Sequence, residues 1–221
     1  DLKALYKDLM QRPLTPDGAT RLTAACESLI NRLTLKGGNT DHERLVLQLA
    51  DKYPTDIGLF AAYFMNLTTV EPGKALFIEP GIPHAYLHGD LIEVMANSDN
   101  VVRAGLTPKE CDVNTLIDIV DCRMGACTLR NPTPNDGTAF VSFDIPVEEF
   151  DLALMSGAHS KEVLKTNGEM VFLFSLNGIG KVVSGTETYS LVPGKAIIIP
   201  AKISEVEISL NEGTLYKVVV P

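Results

Sequence analysis

PHAYLHGDLIEVMANSDNVVRAGLTPK, the stretch from Pro83 to Lys109, decides how this chain reads. It sets His84 in a turn stiffened by Pro80, Gly81 and Pro83. A proline ring fixes φ, so the imidazole is held in one direction. Glu93 follows, then an acidic-amide turn at Asp99 and Asn100, then Arg103 and Lys109. The apolar residues between them come in short runs bounded by Gly, Asn and Asp, a strand pattern rather than a helical one. Polar groups of different chemistry converging from short strands and turns point to a lined pocket.

Each of these groups has a chemical use and a plainer alternative. A neutral imidazole is the commonest metal ligand, and His84 can equally be a satisfied buried histidine. Catalytic zinc takes three protein ligands and an open position, and beyond His84 and Glu93 no further ligand is evident. Arg103 interrupts the apolar run Val101–Leu106. Aimed into a pocket, its guanidinium offers a planar fork to an anion or a developing oxyanion; at a strand edge it faces solvent. Lys109, after Pro108, is either a point charge for phosphate or a surface lysine. His88 at a hairpin tip, His159 in a loop and His42 in the first turn of a helix are expected to be exposed and uninvolved.

Outward from this block the chain falls into zones. Residues 1–53 carry apolar residues at helical spacing: Leu2, Leu5 and Leu9, then Leu22, Leu29, Ile30 and Leu33, then Leu45 and Leu49. Thr15-Pro16-Asp17-Gly18 and Lys36-Gly37-Gly38-Asn39 break the pattern, and Asp41 is expected to cap the third helix. Strands are expected at Leu67–Val70, Ala75–Ile78, Leu91–Met95 and Val101–Leu106, and a short helix over Asp112–Val120. Asn131–Gly137 reads as a linker. Further strands run from about Thr138 to Pro221, including Ala139–Phe143, Met170–Leu176, Lys181–Ser184, Thr188–Leu191, Ala196–Ile199, Val206–Leu210 and Leu215–Val220. The fold class is therefore mainly β behind a helical N-terminal segment. Pro72-Gly73-Lys74-Ala75-Leu76-Phe77-Ile78 echoes Pro193-Gly194-Lys195-Ala196-Ile197-Ile198-Ile199, as a duplicated β unit would. Ser204 or Glu205 stands where the first copy has His84.

A net charge of −9 over 221 residues argues against nucleic acid and anionic membrane as partners, and leaves a small anionic substrate possible where cations are placed locally. The four cysteines, Cys26, Cys111, Cys122 and Cys127, have no C-x-x-C spacing, which fits reduced thiols in a cytoplasmic protein. No apolar run reaches the length of a membrane span, and no signal peptide is evident. The chain opens on Asp1 without a methionine, so a processed or incomplete piece of a longer protein is expected.

Ala75–Lys109 closely resembles the signature of type I mannose-6-phosphate isomerases, also called phosphomannose isomerases. Tyr53-Pro54, Asp56-Ile57-Gly58-Leu59-Phe60 and Asp112-Val113-Asn114-Thr115-Leu116 look like the same family. The resemblance implies cupin (jelly-roll) β-barrels in three parts: a helical insertion (1–53), the second half of a catalytic cupin (54–130) and a C-terminal cupin-like domain (138–221). It implies a zinc-dependent interconversion of mannose 6-phosphate and fructose 6-phosphate that feeds GDP-mannose and glycoconjugate synthesis, with one Zn2+ per complete active site. Residue by residue, His84 resembles the family's C-terminal zinc ligand and Arg103 its catalytic arginine. Tyr86, Glu93 and Asp99 resemble residues lining the sugar pocket, and Lys109 a lysine at the phosphate end. The family's other zinc ligands, from a Gln-x-His motif and a glutamate, have no counterpart here. A missing N-terminal segment of the same protein is therefore an expected partner, and the chain alone is expected to be inactive. The rivals are a non-catalytic cupin module binding a sugar phosphate or a partner, and a relative acting on another phosphorylated aldose.

Overall fold

The computed structural model describes residues 1–98 and 100–221. The chain divides into two compact units: Asp1–Thr69, Ile78–Leu91 and Asp99–Cys127 in the first, Val70–Phe77, Ile92–Ser98 and Thr128–Pro221 in the second.

The first unit is built on helices α1 (Leu2–Gln11), α2 (Pro16–Lys36), α3 (Asp41–Ala50), α4 (Gly58–Ala61) and α5 (Val113–Ile119). Their ends follow local chemistry. Thr15 caps α2 with Pro16 in its first turn, where a missing N–H costs nothing. Gly37 closes α2 in the left-handed conformation, its N–H donating to the Leu33 carbonyl. The cap of α3 is Thr40 rather than the expected Asp41. Thr40 and Glu43 exchange side-chain-to-backbone hydrogen bonds, a reciprocal capping box that moves the helix start back by one residue. Asp112 caps α5 through the Thr115 amide, as expected. The apolar stripes meet in one cluster containing Cys26, Leu33, Val46 and Leu59, all fully buried. A second cluster joins Tyr6 and Met10 of α1 to Leu116 and Val120 around α5, and Val102 and Ala104 pack against it. Burial, with the nearby Cys122 and Cys111 adding to it, pushes the Tyr6 phenol up to about 12.

The second unit holds strands β1 (Ala75–Leu76), β2 (Leu129–Arg130), β3 (Thr133–Pro134), β4 (Val141–Ser142), β5 (Asp151–Ser156), β6 (Ser160–Lys165), β7 (Met170–Ser175), β8 (Ile179–Ser184), β9 (Glu187–Leu191), β10 (Ala196–Ile199), β11 (Glu205–Glu212) and β12 (Thr214–Val220). Antiparallel pairing gives a six-stranded sheet ordered β10-β7-β12-β5-β4-β3 and a four-stranded sheet ordered β6-β11-β8-β9, with β1 and β2 paired apart. Val171, Leu173 and Leu215 of the first sheet and Leu164, Val182, Ile208 and Leu210 of the second fill one core. Among the described residues the two sheets share no strand, so the expected barrel is a two-sheet sandwich whose margins stay open.

Three local expectations change. Strands β5 and β6 were not legible: β5 has three buried residues in succession and β6 is rich in charge, so neither alternates cleanly. The supposed linker contains β3, which pairs with β4 at the sheet margin, a place that tolerates Pro134. Among the described residues of 54–127, only Ala75–Leu76 is a strand. Leu91–Met95 and Val101–Ala104 keep the alternating exposure of strands but lie in no ladder, because a strand is defined by a hydrogen-bonded neighbour. Among the described residues, no helix is long and apolar enough to cross a membrane.

Candidate functional site

The loop that carries His84 is tied down from both sides. The Ile82 N–H donates to the Glu79 carbonyl at 3.3 Å, and the Asp121 N–H donates to the Gly81 carbonyl at 2.9 Å. Arg123 bridges Glu79 at 2.5 Å and Asp121 at 2.6 Å, fastening the loop to the chain that leaves α5. His84 itself is exposed, with Nδ1 2.9 Å from the Ile82 carbonyl oxygen. A carbonyl can only accept, so Nδ1 donates to it, and in a neutral imidazole the lone pair is then on Nε2. That is the arrangement of a metal-ligating imidazole, whose second nitrogen donates to a backbone carbonyl and so fixes the ring. The Tyr86 ring adjoins, its centroid 5.9 Å away and tilted by 59°.

Arg103 and Lys109 stand on one stretch of chain. Val102 and Ala104 point inward onto the cluster around α1 and α5, which turns Val101 and Arg103 outward into solvent. The chain then turns at Gly105 and Leu106, both with positive φ (104° and 51°). Lys109 is exposed, and its N–H donates to Thr107 Oγ1 at 3.1 Å. Glu93 is exposed and belongs to the other compact unit. Asp99 lies outside the described residues.

The structure thus brings His84 and Tyr86 together, and places Arg103 and Lys109 on either side of one turn. It does not gather a metal-binding set: among the described residues, no three His, Cys, Asp or Glu side chains are grouped to hold an ion. His84 fits zinc as a single ligand in donor type and tautomer. Recesses lie elsewhere among the described residues. One of about 340 Å³ lies between Lys165–Gly168 and Ala201–Glu205. One of about 210 Å³ is lined by Met10, Leu14, Ile57, Gly105, Cys111 and Val113. None of the expected site residues lines either.

His42 departs from its expected exposure. It is half-buried, its Nε2 lies 2.9 Å from the Met65 carbonyl oxygen, and its ring stacks on Tyr63 at 6.5 Å, because the first turn of α3 faces the segment 63–65. His88 and His159 are exposed as expected. Asp56, Gly58 and Leu106 escaped notice as residues that support the turn beside Arg103. Nothing in a single sequence marks a glycine for close approach; the signal lies in the side chain that fills the space.

Comparison with known proteins adds the following. Residues 141–220 match the family model for the mannose-6-phosphate isomerase cupin domain. Mouse mannose-6-phosphate isomerase is 37% identical over 198 residues, covering 87% of this chain and 45% of its own length. Human mannose-6-phosphate isomerase is 49% identical over 111 residues, covering 49% of this chain and 26% of its own length. The structure of Salmonella typhimurium mannose 6-phosphate isomerase, solved with its substrate fructose 6-phosphate and zinc, matches 99% of this chain. The match has a TM-score of 0.76 at 26% identity and covers 54% of that protein. A point mutant of the Salmonella enzyme superposes with a TM-score of 0.81 at 30% identity. The chain spans about half the length of the relatives it matches most broadly. The mainly β, cupin-type architecture behind N-terminal helices stands.

Proposed function

We propose, because the chain belongs to the type I mannose-6-phosphate isomerases and corresponds to their C-terminal part, that it works in the zinc-dependent interconversion of mannose 6-phosphate and fructose 6-phosphate. The observation that carries this reading is the match of 99% of the chain to an enzyme solved with fructose 6-phosphate and zinc. In this reading residues 1–53 are a helical insertion, 54–130 the second half of the catalytic cupin and 138–221 a C-terminal cupin-like domain. The product feeds GDP-mannose and glycoconjugate synthesis in the cytoplasm.

The chemistry is an aldose–ketose isomerisation, in which a proton leaves C2 and one returns to C1 across an enediolate. Zinc, when bound, supplies a Lewis acid at the sugar's carbonyl and hydroxyl oxygens. His84 would hold it, its ring oriented by the bond from Nδ1 to the Ile82 carbonyl. This histidine would be one ligand of several, since the described residues gather no set of three around an ion. Arg103 places its guanidinium against the negative charge of the enediolate, charge that is absent from the bound sugar. Lys109 holds the phosphate as a point charge. Tyr86, Glu93 and Asp99 form the polar wall that orients the sugar hydroxyls.

The test is isomerisation of mannose 6-phosphate by the complete gene product, with zinc and after chelation. Activity abolished by chelation and restored by zinc is expected. Arg103→Ala should lower kcat on the order of a hundredfold or more with little change in KM, as loss of a group that acts on developing charge does. Lys109→Ala should mainly raise KM. A complete product that binds the sugar phosphate tightly and never isomerises it would sink this reading in favour of a binding module.

A further inference from the structure

Arg103 and Lys109 are joined by a turn that leucine does not adopt readily. Leu106 has φ 51°, a left-handed conformation in which a side chain crowds the backbone and glycine does not. A glycine at 106 would make the same turn without strain, so the leucine needs a seat that repays it. That seat is the segment Asp56–Gly58. A Cβ at Gly58 would lie 2.5 Å from Leu106 Cγ and 3.0 Å from its Cδ1, so the leucine occupies the notch a side chain would fill. A Cβ at Gly105 would lie 2.9 Å from Asp56 Oδ1, the oxygen that accepts the Gly58 N–H at 2.7 Å. Beyond the notch, Leu106 packs against the helical core of Cys26, Leu29, Leu33 and Val46. The Cys26 thiol reaches the Asp56 carbonyl at 3.8 Å, which ties the floor of the notch to α2.

We infer that Leu106, seated in the notch at Gly58, is a positioning residue that sets the spacing and direction of Arg103 and Lys109. The inference rests on the proposed roles of those two residues and adds to them the device that holds them. Val102 and Ala104 anchor the chain on the arginine side, and Leu106 anchors it before the lysine. Moving the leucine swings one cation relative to the other while the loop of His84, tied to Asp121 and Arg123, stays where it is.

The experiment is steady-state kinetics on mannose 6-phosphate with the complete, zinc-loaded protein carrying Gly58→Ala, Leu106→Ala, the two together, and Gly58→Ala combined with Lys109→Ala. Gly58→Ala pushes Leu106 out of its seat and should cut kcat/KM on the order of a hundredfold, the effect of an ångström-scale misplacement. Zinc content should not change. Leu106→Ala makes room for the new methyl, so the double variant should be more active than Gly58→Ala alone. In the Lys109→Ala background, Gly58→Ala should no longer raise KM, since the group it displaces is gone. If Gly58→Ala does not fold, Leu106→Gly, which keeps the turn and empties the seat, should show the same loss of additivity with Lys109→Ala. Wild-type kinetics for Gly58→Ala or Leu106→Gly, or full additivity with Lys109→Ala, would overturn the inference. Silent Arg103→Ala and Lys109→Ala variants would instead overturn the functional reading, and this inference with it.

Discussion

The turn at Pro72 and the one at Pro193 are made of the same local parts and lead into chain in different states. In the first, Gly73 takes φ 80° and the Lys74 N–H donates to the Glu71 carbonyl at 3.1 Å. In the second, Gly194 takes φ 77° and the Lys195 N–H donates to the Val192 carbonyl, also at 3.1 Å. Further along, the bond from Ile82 to Glu79 corresponds to one from Ile203 to Pro200 at 2.9 Å. In this alignment His84 falls against Glu205, the first residue of β11. Yet the first strand is two residues long and pairs with β2, while the second runs through Ala196–Ile199 in full register with β7. Turns are set by residues next to each other in sequence; ladders need a neighbour. Where β7 is at hand the apolar run becomes a strand, and elsewhere the same kind of run remains extended chain.

Hydrogen exchange on the 221-residue chain should show the contrast at its largest. Amides of β7 and β12, in the middle of the six-stranded sheet, should exchange only by global unfolding, and those of 91–98 and 100–106 by local opening, orders of magnitude faster. Equal protection in both, for a verified monomer, would erase the difference drawn here. Next in size is the cost of a core cavity. Leu215→Ala, at a fully buried position shared by the core of both sheets, should lower the stability of the sandwich by about 2–5 kcal/mol by chemical denaturation. Leu76→Ala, on a two-residue strand with half-buried side chains, should cost far less.

The two units should also answer alkali in opposite senses. Tyr6 in the helical unit stays protonated to about 12 while an unfolded tyrosine ionises near 10, so the stability it lends is present below that value and fades as pH rises beyond it. Tyr6→Phe should flatten this loss, read as the denaturation midpoint of the helical unit against pH. Lys217 shares the core-facing row of the sandwich with Leu173 and Ala153, and its amine lies 4.8 Å from the centroid of the buried Phe140 ring. Burial lowers its pKa, against the opposing pull of Glu162, Asp151 and Glu169. The unfolded chain then holds more protons just below the ordinary lysine value, so stability should rise with pH across that window. Lys217→Met should remove the rise and stabilise the sandwich at neutral pH. The smallest test compares the turns themselves. Gly194→Ala should cost about 1 kcal/mol for a left-handed alanine, and Gly73→Ala should register less, because fewer contacts depend on its turn.

Much of the molecule was legible in residue order. The helix stops at Gly37, the cap at Asp112, the strands from Met170 onward and the paired Pro-Gly turns all follow from chemistry within a few residues. The cap of α3 was misplaced by one residue because Thr40 and Asp41 are both good caps, and the choice fell to Glu43, which reaches back to only one of them. Of the candidate site, His84 and the cations at 103 and 109 were visible as residue types in a stiffened block. The direction of Arg103 was not, since it depends on where Val102 and Ala104 are buried.

By itself the sequence determined the turns, most caps, the helical stripes and the candidate polar residues His84, Arg103 and Lys109 as types, because each depends on side chains within about one turn of the backbone. Tertiary structure alone decided which extended runs became strands, that Arg103 faces outward, and how Leu106 came to rest at Gly58. Those outcomes depend on groups far apart in the chain: a strand is completed by its partner, and a notch has meaning only once another segment fills it.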